Sequence, residues 1–196
     1  MKGEVTLEVL EAINTRRSIR HYKPEPVDEE TLQKVLEAAR WAPSWSNTQC
    51  WRFVIVRDSH IKTELAGYLL KRPKADTLVD NPALKAFLQA PVIIVLCAEM
   101  GKAGIRSDAS SETDKGDWFM FDTALAMQNL VLAAHALGLG TVIVGAFDAE
   151  KVAKILEVPA GFRVVAMTPL GFPEREGKTP PRKELSEIVF YDKYGQ

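Results

Sequence analysis

Residues 117–137 constrain this chain most. From Asp117 to Leu137 the sequence is rich in Ala and Leu, has no Gly or Pro, and is apolar almost all round at helical spacing. A helix with no polar face must be covered on its sides, so this one reads as a central buried helix in a layered domain. A second constraint comes from residues 91–96, a continuous apolar run between Pro91 and the punctuation around Gly101. Such a run fits a strand buried on both faces.

The remaining elements fall around these two. Leu7, Leu10, Ile13 and Asn14 suggest a first short helix. Asp28 can cap a second, in which Leu32, Val35, Leu36 and Ala39 share one face and residues 41–43 bring the end. Residues 51–56 read as a strand closed by Arg57 and Asp58. Ile61, Leu65 and Leu69 mark another helix, residues 71–81 a polar loop, and residues 83–89 a helix started by Pro82. Residues 101–116 carry almost no core residues and read as a mobile loop. Gly138 suits the end of the long helix, residues 141–144 a third strand, residues 149–156 a helix capped by Asp148, and residues 163–170 a fourth strand. Helices precede, separate and follow strands, which gives an α/β layered or α+β domain.

The chain has 196 residues, within the usual range of roughly 100–200 for one domain. Lys and Arg number 25 and Asp and Glu 26, a net charge of −1. Non-specific nucleic-acid binding needs many cations facing phosphates, so the balance excludes a chain-wide polyanion binder but leaves room for a local anion site. The longest apolar run is far short of the ~20 residues that span a bilayer. Glu4 and Glu8 interrupt an N-terminus that lacks the apolar core of a leader. Two cysteines, Cys50 and Cys97, are too few for a disulfide framework, and the expected compartment is the reducing cytoplasm.

Several familiar sites are missing. Gly138-Leu139-Gly140 precedes a strand instead of following one, and Ile143 stands where a dinucleotide fingerprint needs its third glycine. Between Gly171 and Gly177 lie five residues where a P-loop has four, and Pro180 and Pro181 follow. His21, His60 and His135 are scattered, so no metal site is expected, and no G-x-S-x-G is present.

Four segments carry chemistry. Arg16-Arg17-Ser18-Ile19-Arg20-His21 gathers cations around one hydroxyl. Arg suits bidentate phosphate contact, and in a helical segment Arg16 and Arg20 would share a face. The same residues also read as a solvated basic turn. Residues 42–51 link a helix to a strand and offer indoles, amides and hydroxyls, a mixture suited to a planar heteroaromatic ligand. Trp51 reads as core, whereas Trp45, between two serines, does not. Gly145 lets a ligand approach the end of a strand, or is an ordinary strand-end glycine. Arg182-Lys183 stands on a tail, residues 173–196, whose Ile188-Val189-Phe190-Tyr191 is β-prone and needs a partner.

In this order the segments resemble the FMN-dependent nitroreductase family. The resemblance runs from Arg16-Arg17-Ser18-Ile19-Arg20 through Ala42-Pro43-Ser44, Asn47-Thr48-Gln49, Gln128-Asn129-Leu130 and Gly145-Ala146-Phe147 to Pro181-Arg182-Lys183. It implies an α+β fold: a mixed, mainly antiparallel sheet flanked by helices, in an intertwined homodimer with C-terminal arm exchange. Residues 1–172 would form the FMN-binding domain and residues 173–196 its arm. By the same resemblance, Arg16, Arg17 and Ser18 hold the FMN phosphate and ribityl chain, and Arg20 stands near the pyrimidine edge. Ser44, Trp45 and Asn47 contact FMN from the neighbouring subunit. Ile143, Val144 and Gly145 pass the ring, and Arg182 is a second phosphate ligand. Cys50 departs from the family, which usually has Pro there. The implied activity is transfer of hydride from NAD(P)H through FMN to nitroaromatic, quinone or similar acceptors, with no catalytic side chain assigned. Other flavin chemistry (enone reduction, dehydrogenation or dehalogenation) and a non-enzymatic flavin-binding module stay open. The expected partners are a second copy of the chain and a small-molecule acceptor, with no nucleic acid and no membrane.

Overall fold

A four-stranded antiparallel sheet divides the molecule. The computed structural model describes residues 7–75 and 77–195, so residues 1–6, part of the stretch read for a leader, lie outside it. The strands are β1 (Trp51–Val56), β4 (Val92–Glu99), β6 (Phe162–Gly171) and β5 (Gly140–Thr141), in the spatial order β1-β4-β6-β5. The register runs from Trp51 opposite Ala98 to Val56 opposite Ile93, and from Val92 opposite Leu170 to Glu99 opposite Phe162. One bulge falls between Leu96 and Cys97. A parallel contact comes from outside the named strands, where Ser18 bridges Thr141.

The alternation of side chains along β4 explains its continuous apolar run. Ile93, Val95 and Cys97 enter one core with Met167, Phe87 and Leu65. Val92, Ile94 and Leu96 enter the other with Leu130, Leu170 and Val35. The first core lies under α3 (Ser59–Gly67), α4 (Leu84–Gln89) and α6 (Ala149–Ile155). The second lies under α2 (Glu29–Arg40) and α5 (Phe119–Ala136), which are joined by the Asn129 amide donating to the Ala38 carbonyl at 3.1 Å. Asp28 and Asp148 cap α2 and α6 as expected, accepting from the Thr31 and Lys151 N–H groups.

The structure corrects or refines several expectations. α1 (Val9–Thr15) forms, but Val9, Leu10 and Ile13 stand 64%, 71% and 50% exposed, so that Ala12 is the one described α1 residue that is buried. α5 is central but not covered all round, because Met120 and Phe121 are each 55% exposed. Residues 71–81 are not plain loop: β2 (Arg72–Lys74) and β3 (Thr77–Val79) make a hairpin whose polar, unalternating sequence hid it. The stretch 101–116 forms no named helix or strand and has Ala103 as its one buried non-glycine residue, as its composition suggests, while Gly104 fits against Trp118 so closely that a Cβ would lie 2.7 Å from the indole. The third strand is only two residues long, and Val144 rejoins β6 by a single bridge to Met167.

The tail behaves differently before and after Thr179. The Glu174 N–H donates to the His21 carbonyl at 3.0 Å, and Gly177 sits where a Cβ would collide with the Arg17 side chain. From Pro180 onward every described residue is exposed, and Ile188-Val189-Phe190-Tyr191 forms no strand. A strand needs an edge to pair with, and among the described residues none pairs with these.

Candidate functional site

Residues 16–23 are extended, not helical. Arg16 closes α1, and the Ile19 N–H donates to the Thr141 carbonyl at 2.8 Å. Ile19 packs so closely on Gly140 that a Cβ there would approach it to 2.8 Å. Tyr22, buried, donates its hydroxyl to the Ile19 carbonyl at 2.8 Å, and burial holds its proton firmly. These anchors leave Arg16, Arg17, Ser18 and Arg20 half-buried along one strip. The cluster expected from a helical face is therefore made by a pinned extended strip.

With the returning tail, this strip walls a cleft of about 660 Å³. Arg16, Arg17, Ser18, Arg20 and Arg182 all line it, together with Arg175 and Lys178, which sequence reasoning missed. Glu176 is the single carboxylate residue in the lining. Arg17 donates to the Thr179 hydroxyl at 3.0 Å and to the Asn14 and Arg16 carbonyls at 2.8 and 2.7 Å. Arg182 reaches the Pro180 and Pro181 carbonyls only at 3.5 and 3.4 Å. These are neutral acceptors, and among the described residues neither Arg17 nor Arg182 makes an ion pair, so the lining keeps an excess of positive charge. Burial, then Arg17 and Arg182, hold the Arg16 guanidinium below its ordinary pKa. The Nε of Arg20 is buried with no hydrogen-bond partner among the described residues. Orphaned buried donors are rare in folded proteins and point to a missing acceptor.

His135 faces a neighbouring cavity of about 840 Å³ that shares Arg17, Ile19 and Gly177 with the cleft. The Thr15 hydroxyl gives its one proton to the Glu11 carbonyl at 2.6 Å, so at 2.8 Å it accepts from His135 Nε2–H. Burial, Arg16 and Arg17 push the His135 pKa down, and Glu11 opposes them. A histidine lowered in the folded state binds fewer protons there than in the unfolded chain. Its contribution is intact above the unfolded value of about 6.5 and is lost as pH falls through the folded one. Urea unfolding of the wild type should therefore show stability falling with acid below that value, with a shallower fall in His135→Gln. Equal slopes in the two proteins would exclude the effect.

The second group of expected residues lies elsewhere. Ser44, Trp45 and Asn47 do not line the cleft, nor do Ile143, Val144 and Gly145. Val144 is core, while Ile143 and Gly145 are exposed. Residues 45–47 form a 3-10 turn in which Ser46 and Asn47, and then Gln49, take φ of 43°, 56° and 46°. This left-handed region suits glycine and asparagine, and other residues held there cost about 1–3 kcal/mol each. The turn is tied to α5. The Trp45 N–H donates to both carboxylate oxygens of Asp122 at 3.1 and 3.0 Å, and the Trp45 indole lies 5.2 Å from that of Trp118. Asp122 was missed by the sequence reading, although an acid in an otherwise apolar helix was its signal. Cys50, buried beside Asp122, has its thiol pushed up to about 11 by burial, so it acts as packing.

Comparison with known proteins places this geometry. The sequence pattern of the nitroreductase family matches residues 13–172. The chain belongs to that family. It is an oxidoreductase of the NAD(P)H nitroreductase and FMN reductase type. An NADH dehydrogenase of Thermus thermophilus is 31% identical over 96% of this chain and 99% of its own length. An FMN reductase [NAD(P)H] of Bacillus subtilis is 30% identical over 95% of this chain and 74% of its own. The crystal structure of a nitroreductase family protein from Clostridium novyi NT superposes with a TM-score of 0.72 at 30% identity, covering 96% of both chains. The antiparallel sheet flanked by helices is thus the family fold. Among the described residues no helix is long and apolar enough to cross a membrane.

Proposed function

We propose that the cleft binds the phosphate and ribityl chain of FMN through Arg16, Arg17, Ser18 and Arg182, with Arg20 beside the pyrimidine edge. The observation that carries this reading is a lining with six Arg and Lys residues against Glu176, together with the buried Arg20 Nε that has no hydrogen-bond partner among the described residues. A phosphate monoester supplies the charge and the acceptor oxygens such a lining lacks. Ser44, Trp45 and Asn47, together with the strand end at Ile143, Val144 and Gly145, lie outside this cleft. We assign them to the ring of an FMN bound across a homodimer, the first three coming from the neighbouring subunit. Residues 1–172 then act as the FMN-binding domain and residues 173–196 as its arm.

The chemistry FMN supplies when bound is acceptance of hydride from NAD(P)H and delivery of two electrons to an oxidised acceptor. Donor and acceptor use one place in turn, so NAD(P)+ leaves before a nitroaromatic, quinone or similar acceptor enters. The protein binds and orients, and Arg20 supplies fixed positive charge for the negative charge that develops on the ring. Hydride transfer itself needs no side-chain acid or base.

The test is the absorption spectrum of the purified protein, followed by addition of FMN and then NADH or NADPH. The expected results are a yellow protein, or a colourless one that takes up about one FMN per chain, and oxidation of about one nicotinamide per FMN without an acceptor, with continued turnover only when an acceptor is present. A protein that takes up no FMN would falsify the reading.

A further inference from the structure

Asp122 is the buried charged group to which the reading above gives no part. It lies in the first turn of α5 and is 1% exposed. Besides the Trp45 N–H, it accepts from the Thr48 hydroxyl at 3.4 Å, and the Cys50 thiol stands 3.8 Å away. One carboxylate therefore gathers donors from both ends of the turn that contains Ser46, Asn47 and Gln49 with their positive φ. The turn also holds itself: the Asn47 and Thr48 N–H groups donate to the Ser44 and Trp45 carbonyls at 3.1 and 2.9 Å, the Gln49 N–H to the Ser44 hydroxyl at 2.9 Å and the Gln49 side-chain amide to Asn47 Oδ1 at 3.0 Å, while Trp45 leans on Trp118; of these, only the Trp45–Trp118 contact joins the turn to α5, as Asp122 does. Burial raises the Asp122 pKa above the ordinary carboxylate value, with Asp117 adding to it, and the bonds from Trp45, Thr48 and Cys50 oppose that rise only in part. A costly group kept in a costly loop calls for a purpose at that loop.

We propose that Asp122 is a positioning residue: it clamps the turn at residues 45–49 in its left-handed form, so that Ser44, Trp45 and Asn47 are presented to FMN. The proposal rests on the FMN reading for its functional half and on the hydrogen bonds alone for its structural half. If the clamp works against backbone strain, relieving the strain must make it dispensable. Glycine takes positive φ freely, so Ser46→Gly with Gln49→Gly removes the strain without replacing a residue assigned to FMN; it also removes the bond from the Gln49 amide to Asn47 Oδ1, a loss that the glycine pair alone measures.

The experiment compares the full-length wild type, Asp122→Asn, the glycine pair, and Asp122→Asn combined with the glycine pair. Backbone exchange is read at residues 45–49 by hydrogen–deuterium exchange, and FMN affinity by fluorescence titration. Asp122→Asn should speed exchange in that segment alone and weaken FMN by about tenfold, as expected for loss of hydrogen bonds to a charged acceptor. Adding the glycine pair should restore FMN affinity to within about threefold of wild type. Unchanged exchange in Asp122→Asn overturns the clamp, whatever FMN does. Faster exchange with unchanged FMN affinity overturns the positioning role, as does failure of the glycine pair to rescue. If Asp122→Asn does not fold, the glycine pair must recover folded protein, and its failure to do so overturns the proposal. A wild type that binds no FMN sinks the cofactor reading and the positioning role with it, while exchange still decides the clamp.

Discussion

Arg16→Ala is expected to weaken FMN binding by about one to two orders of magnitude, the effect of losing one charge-assisted hydrogen bond worth about 1.5–3 kcal/mol. The structure adds a second expectation of opposite sign. Arg16 is half-buried beside Arg17 and Arg182, and burial and those charges together depress its pKa. Its charge is a burden on the protein without FMN, so the variant stripped of FMN should be at least as stable as the stripped wild type. Fluorescence titration with FMN and thermal unfolding without it read the two effects separately. Loss of affinity together with loss of stability would make Arg16 a structural residue. Unchanged affinity would remove it from the site. Arg182→Ala should weaken FMN less, because Arg182 stands exposed on the tail with only weak contacts to its own chain.

The sequence revealed most where one residue's chemistry decides its local structure. Asp28 and Asp148 announce helix starts because a carboxylate satisfies N–H groups that lack helical partners, and both do so here. Residues 91–96 announce a central strand because apolar side chains on both alternating faces need two cores, and both cores are present. Arg16, Arg17, Ser18, Arg20 and Arg182 were nameable as one group only through the family resemblance, since 162 residues separate Arg17 from the Thr179 it bonds. What was illegible depends on pairings that leave no local mark. The β2–β3 hairpin has exposed residues on both strands, so no alternation signals it. Asp122 meets Trp45 across 77 residues, and nothing near either residue shows that an acid will hold a turn. The apolar faces of α1 and α5 are legible as apolar, but a sequence does not say whether its own chain or another covers them.

That last point carries the largest expected effect. Removing every residue after Thr179 should give a monomeric or aggregated protein that loses FMN. The cut follows a boundary in the structure: up to Thr179 the tail is bonded to Arg17 and His21 of its own chain, and beyond it every described residue is exposed. The removed part displays Leu185, Ile188, Val189, Phe190 and Tyr191, from 38% to 78% exposed. Burying such side chains stabilises by about 1.5–3 kcal/mol each, so together they rival the whole stability of a typical domain, about 5–15 kcal/mol. A chain that leaves this much apolar surface wet, beside the exposed Val9, Leu10, Met120 and Phe121, has the means for tight association with a second copy. Arg182 would travel with the arm, so dimerisation and FMN binding would stabilise each other, since each favours the assembled state. Light scattering and absorbance of the truncated protein read both at once. A truncated chain that stays dimeric and yellow refutes the exchange of arms. One that is dimeric but colourless confines the arm's role to supplying Arg182 and the rest of the FMN contact.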